Sequence, residues 1–183
     1  MRQHAPRTWF TSSGGEIQRQ VQDGFIILLS TEDAVRLFRE KLNFSCIAAV
    51  TQAHCRPCLI LNLSDQLNKE TTSVNSTTDR DINPESMQFG RDFLRILQSI
   101  WEVDPEEGPV RVSKLDVTDA YHRGNLQLSQ VGSFAYVAPS VPDDDVIIII
   151  CIDLVLPMGQ LESIKCFCTF SETLTNMANA LIR

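Results

Sequence analysis

Lys114-Leu115-Asp116-Val117-Thr118-Asp119-Ala120-Tyr121-His122-Arg123 crowds two carboxylates, an aromatic ring and several basic groups into ten residues. Before and within it, the β-branched and aliphatic residues at 110–112 and 115–117 read as a strand that delivers Asp116 to its end. A carboxylate at a strand end suits Mg²⁺, with Mn²⁺ as a substitute. Such hard cations take oxygen ligands and are held by one or two carboxylates together with substrate phosphates. The ordinary alternative for an Asp-x-x-Asp pair is a turn or cap after a strand.

Two further blocks follow downstream. Phe134-Ala135-Tyr136-Val137-Ala138-Pro139 precedes Leu156-Pro157-Met158-Gly159-Gln160-Leu161-Glu162-Ser163-Ile164-Lys165-Cys166-Phe167. The order Asp-Val-x-Asp-Ala-Tyr, Phe-Ala-Tyr-x-x-Pro, Leu-Pro-x-Gly-x-x-x-Ser-x-x-x-Phe resembles the palm of retroelement reverse transcriptases, the RNA-directed DNA polymerases. Upstream, Arg56 followed by Asn62-Leu63-Ser64 and then Ser73-Val74-Asn75 resembles the fingers of the fungal and protist members, notably those allied to tyrosine-recombinase elements. Three ordered palm blocks are far more specific than any one of them.

The resemblance implies an α+β fold, an antiparallel sheet with packing helices, comprising fingers and the first half of a palm. It implies Asp116 as the first metal-binding carboxylate, with the Val117 carbonyl beside it. Asp119 and Ala120 would form the turn whose backbone donors meet triphosphate oxygens, a role to which N–H groups are suited. Tyr121 would pack under the nucleotide sugar and disfavour a 2′-hydroxyl, and Arg56 would help hold the triphosphate. Met158 lines the same pocket, and Gly159 permits close approach where a Cβ would obstruct it. The implied partners are an RNA or DNA primer–template and a deoxynucleoside triphosphate.

The same comparison exposes departures. Two-metal phosphoryl transfer needs carboxylates that bridge ions only about 4 Å apart, and in the family the remaining ones lie in a Tyr-x-Asp-Asp turn. The sequence is expected to end before that turn. Gln160 stands where the family has Trp and Ile164 where it has Pro, which removes a residue pre-set for a first helical turn. Met158 stands where Gln or Phe is usual. A truncated copy, inactive alone, is the expectation.

Bulk properties set the limits within which this holds. At 183 residues and 43% apolar composition the chain can bury one real core. A formal charge of −7 opposes strong independent binding to nucleic acid, whose affinity rests on Lys and Arg neutralising phosphates. The six cysteines are scattered through apolar contexts and read as reduced, intracellular thiols. The most apolar run, 146–156, contains Asp153 and is far too short to span a membrane, so it reads as a buried strand.

The setting elements follow in order. Residues 1–30 read as a loose arm with at most one short helix, and 31–183 as the partial fingers and palm. Ser30 caps a helix through Leu42 with Ala34, Phe38 and Leu42 on one face. Residues 44–53 and 59–63 form an antiparallel pair around a turn that holds Cys55 and Cys58. Residues 69–83 are a polar surface loop. Pro84 opens a helix whose Phe89, Phe93, Leu97, Ile100 and Trp101 stripe is expected to pack under the sheet carrying Asp116. Asp143 to Asp145 sit at a hairpin tip, and a long amphipathic helix starts near Ser163.

Two other readings compete. An interaction protein would use an uncovered palm edge and the C-terminal helix face to bind another chain or itself. A thiol redox protein would use Cys55-x-x-Cys58, although the Pro57 context favours a strand over the helix such pairs open.

Overall fold

A computed structural model of the chain describes residues 7–50, 58–66, 72–79, 89–110, 116–139 and 148–182. Among them are five α-helices and two small antiparallel sheets, a mixed α+β architecture. The first sheet is organised on β5 (Ile149–Asp153), which lies between β1 (Ile26–Ser30) and β4 (Ala135–Val137). Ile26 stands opposite Asp153 and Ser30 opposite Ile149, while Ala135 pairs with Ile152 and Val137 with Ile150.

Because β5 is covered on both faces, its sequence is apolar without alternation. Its residues nevertheless divide by the two-residue period of a strand. Cys151 joins Ile17, Ile26, Leu61, Leu63, Phe134 and Tyr136 in one core cluster. Ile150 and Ile152 join Ala34, Val131 and Ala135 in the other. The expected buried strand is therefore present, though its first two residues lie outside the described ones.

Helix α1 (Arg7–Gln22) precedes β1 and, at 16 residues, is longer than the one short helix expected in this arm. Its mean composition is polar, which hid its extent, but Ile17 and Gln20 are buried and fix it to the sheet. Helix α2 (Thr31–Phe38) begins as read from Ser30, whose Oγ accepts the Asp33 N–H at 3.0 Å. It ends earlier than expected, at Arg39 with φ 46°, and a 3₁₀ turn over Arg39–Lys41 completes the segment.

Strands β2 (Cys46–Val50) and β3 (Cys58–Asn62) pair antiparallel as their apolar runs predict, Cys46 opposite Asn62. The residues between them, on which the expected turn with Cys55 and Arg56 falls, lie outside the described residues. The two sheets are stitched together where the Ser45 N–H donates to the Ala135 carbonyl at 2.8 Å. Within the stretch read as a loop, α3 (Val74–Thr77) forms a single turn capped by Ser73, with Val74 and Asn75 buried. A local cap and one apolar anchor are enough for one turn, which composition averaged over a polar stretch conceals.

Helix α4 (Phe89–Glu102) has the expected periodicity, but its stripe is not core. Phe93 is 61% exposed and Trp101 89%. Periodicity identifies an apolar face without saying what lies opposite it. Arg95 ties α4 to α5 (Leu161–Ile182) through Glu172 at 2.7 Å and Asn176 at 3.1 Å. Among the described residues no helix is long and apolar enough to cross a membrane.

Candidate functional site

The strand expected to deliver Asp116 falls largely on 111–115, outside the described residues, while Asp116 and Val117 themselves have no strand pairing. Asp116 is exposed and Val117 half-buried. The chain then turns sharply. Asp119 adopts φ 52° and ψ 44°, a left-handed conformation in which aspartate is tolerated better than most residues. A 3₁₀ turn over Ala120–Arg123 follows, closed by the Gly124 N–H donating to the Tyr121 carbonyl at 3.1 Å and by Arg123 Nε donating to the Thr118 carbonyl at 3.2 Å.

This turn is held against the downstream block by backbone bonds. The Leu156 N–H donates to the Gly124 carbonyl at 2.8 Å, and the Leu126 N–H to the Leu154 carbonyl at 2.9 Å. Side chains extend the contact. The Tyr121 ring meets Phe167 of α5 with centroids 5.5 Å apart, and His122 meets Phe25 at 4.7 Å. Two sequence blocks about forty residues apart thus form one surface.

Gly159 adopts φ 108°, and a Cβ there would lie 2.6 Å from the Leu61 carbonyl oxygen of β3. Glycine is required by both the conformation and the close approach. Asn75 completes the joint: its Nδ2 donates to the Gly159 carbonyl at 2.9 Å and to Ser64 Oγ at 2.8 Å, and its Oδ1 accepts the Leu161 N–H at 3.1 Å. One amide therefore caps the start of α5 and fastens the turn before it to β3. Ser163 Oγ donates to the Pro157 carbonyl at 2.9 Å from within α5. Met158, beside Gly159, is 37% exposed.

Sequence reasoning singled out Gly159 and Tyr121 but not Asn75, Ser163 or Arg19. Ser163 and Asn75 were visible as fixed members of the motif blocks, and Arg19 through its helical spacing from Glu16 and Asp23. Arg19 Nη2 binds Glu16 at 2.8 Å, Nη1 binds Asp23, and Nη1 lies 3.7 Å from Asp119 Oδ2. The hydrogen bond to Glu16 raises the Arg19 pKa above its ordinary value against the opposing effect of burial, helped by the charges of Glu16, Asp119 and Asp23.

Behind the turn, Asp153 lies buried at the end of β5, and desolvation pushes its pKa up to about 8. Its neighbours Tyr136 and Cys151 face one another across β4 and β5 and are hydrogen-bonded through their side chains. Burial also pushes the Cys151 thiol up to about 12 and raises the Tyr136 phenol further above its ordinary range.

The donor set bears directly on metal binding. Among the described residues no group of three or more His, Cys, Asp or Glu side chains could hold an ion. Among the described residues Asp116 belongs to no such group, and Asp119 faces Arg19 and His122. These residues do not form a metal cage by themselves, and a cation would need oxygens supplied by a ligand. No family model matches the chain, and no curated protein matches it.

Proposed function

We propose that this chain is a reverse-transcriptase-like module of fingers and half-palm type, which binds a deoxynucleoside triphosphate with Mg²⁺ but does not catalyse polymerisation through these 183 residues alone. The observation that carries the reading is the meeting of its two palm-like blocks, with Leu156 bonded to Gly124 and Tyr121 set against Phe167. A shared surface is what a common nucleotide-facing site requires of the two blocks.

On this reading Asp116 and the Val117 carbonyl contact the cation that arrives with the triphosphate. The Asp119–Ala120 turn receives phosphate oxygens, Arg56 assists from the fingers, and Tyr121 lies under the sugar. Met158 and Gly159 border the base or template. Asp116 is the single palm carboxylate matched in the sequence, so transfer requires carboxylates supplied by other protein segments. The test is a primer-extension assay beside a nucleotide-binding assay. Nucleotide binding that requires Asp116, without incorporation, supports the reading, whereas robust Mg²⁺-dependent, template-directed incorporation by the 183-residue chain overturns its second half.

A second reading has its own observation. Phe93, Leu94, Ile96, Leu97 and Trp101 of α4 and Met177 of α5 are all exposed. An apolar surface of this kind is characteristic of a protein-binding face. In that role the chain associates with another protein or with itself through the α4–α5 face, and the nucleotide site is inherited scaffold. Sizing over a concentration series separates the two.

A further inference from the structure

Asp119 sits in a backbone conformation that side-chain-bearing residues adopt rarely, with φ 52°, at the centre of the turn assigned above to the triphosphate. Such a conformation persists when its surroundings over-determine it. Two groups face its two carboxylate oxygens from different elements: Arg19 Nη1 of α1 lies 3.7 Å from Oδ2, and His122 Nδ1 lies 4.0 Å from Oδ1. Both Arg19 and Asp119 are largely shielded, at 25% and 21% side-chain exposure.

Arg19 is itself held in place. Glu16, three residues before it, accepts from Nε and Nη2, and Asp23, four residues after it, accepts from Nη1. These spacings put all three side chains on one helix face. The helix is in turn anchored by buried Ile17, and the Phe25 carbonyl just beyond it accepts the Leu154 N–H at 2.8 Å. The guanidinium therefore reaches Asp119 from a fixed base.

We infer that Arg19 is a positioning residue for the nucleotide-facing turn: it draws the Asp119 carboxylate against α1, which fixes the left-handed corner and removes a negative charge from the path of an incoming triphosphate. This rests on the function proposed above. Without the pull, the carboxylate repels phosphate oxygens and the corner relaxes. Helix α1 thus acts on a site to which it contributes no ligand.

The test compares wild type, Arg19→Gln, Arg19→Lys and Gln18→Ala by amide ¹H–¹⁵N spectra, thermal unfolding and Mg²⁺·dTTP titration. Arg19→Gln is expected to shift the amides of residues 118–123 and to weaken Mg²⁺·dTTP binding about tenfold, with the unfolding midpoint little changed. Arg19→Lys, which keeps the charge, recovers most of that affinity. Unchanged amides at 118–123 in Arg19→Gln overturn the inference. So does Gln18→Ala, a change at an exposed position of the same helix, reproducing the same shifts, because the effect then belongs to α1 in general. Absence of Mg²⁺·dTTP binding by the wild type sinks the proposed function instead, and the amide shifts still decide whether Arg19 sets the turn.

Discussion

Asn75 Nδ2 lies 2.9 Å from the carbonyl oxygen of Gly159, joining residues 84 positions apart in the chain. The same side chain accepts the Leu161 N–H and reaches Ser64, so the start of α5 and the end of β3 are held by one amide. Replacing it leaves several polar groups without partners in a largely buried place.

Asn75→Ala is therefore expected to cost about 2–3 kcal/mol, since an orphaned buried donor or acceptor costs more than a hydrogen bond contributes on average. Denaturant unfolding measures this directly. Asn75→Asp, which keeps the acceptor for Leu161 but replaces the donor to Gly159 with a second acceptor, should be at least as destabilising.

Gly159→Ala meets two penalties at once: a positive φ of 108° and a Cβ 2.6 Å from the Leu61 carbonyl oxygen. Loss of about 2 kcal/mol or more is expected. If the nucleotide reading holds, binding weakens too, because the backbone must move where Met158 and Gly159 border the pocket. A variant as stable as wild type would show that the loop relaxes freely.

Asp153 gives a pH signature. Its folded pKa, about 8, lies above the ordinary 3.8, so between these values the native state holds a proton that the unfolded state has released. Stability therefore falls as pH rises through that window, by on the order of 1.4 kcal/mol per pH unit at most, and is flat in this respect below it. Urea midpoints at pH 5 and pH 8 should diverge for wild type and converge for Asp153→Asn. A wild-type protein no more pH-sensitive than the variant would place the carboxyl in contact with water.

The apolar face of α4 makes a separate prediction. With Leu94 64% and Trp101 89% exposed, the double change Leu94→Lys and Trp101→Lys removes little folded contact. Stability should stay within about 0.5 kcal/mol, as for surface sites generally. Concentration-dependent association in sizing experiments should fall. A wild type that remains monomeric at all concentrations argues against the interaction reading.

These cases show which parts of the molecule were legible in the sequence. The antiparallel pair β2–β3, the Ser30 cap and the buried run of β5 rest on local signals: two apolar runs flanking a turn signal, a capping side chain, an unbroken apolar stretch. Tyr121 and Gly159 are singled out through their motif blocks. Helix α1 is longer than expected because its buried residues, Ile17 and Gln20, are few and one of them is polar, so little in the pattern marks its extent. The exposure of α4 was missed for a different reason: a helix pattern records which face is apolar and is silent about what faces it. Asn75 is marked only as a member of its motif block and Arg19 only by its helical spacing, while their distant partners Gly159 and Asp119 are reported by no local pattern.

The most direct measurement is calorimetric titration of Mg²⁺·dTTP into the purified chain, wild type beside Asp116→Asn. The account predicts saturable, Mg²⁺-dependent binding by the wild type that is lost or weakened at least tenfold in Asp116→Asn, a charge-to-neutral change that keeps the side chain's shape. Identical titrations for the two proteins, or no binding by either, would contradict it and leave the palm-like surface as scaffold without a nucleotide.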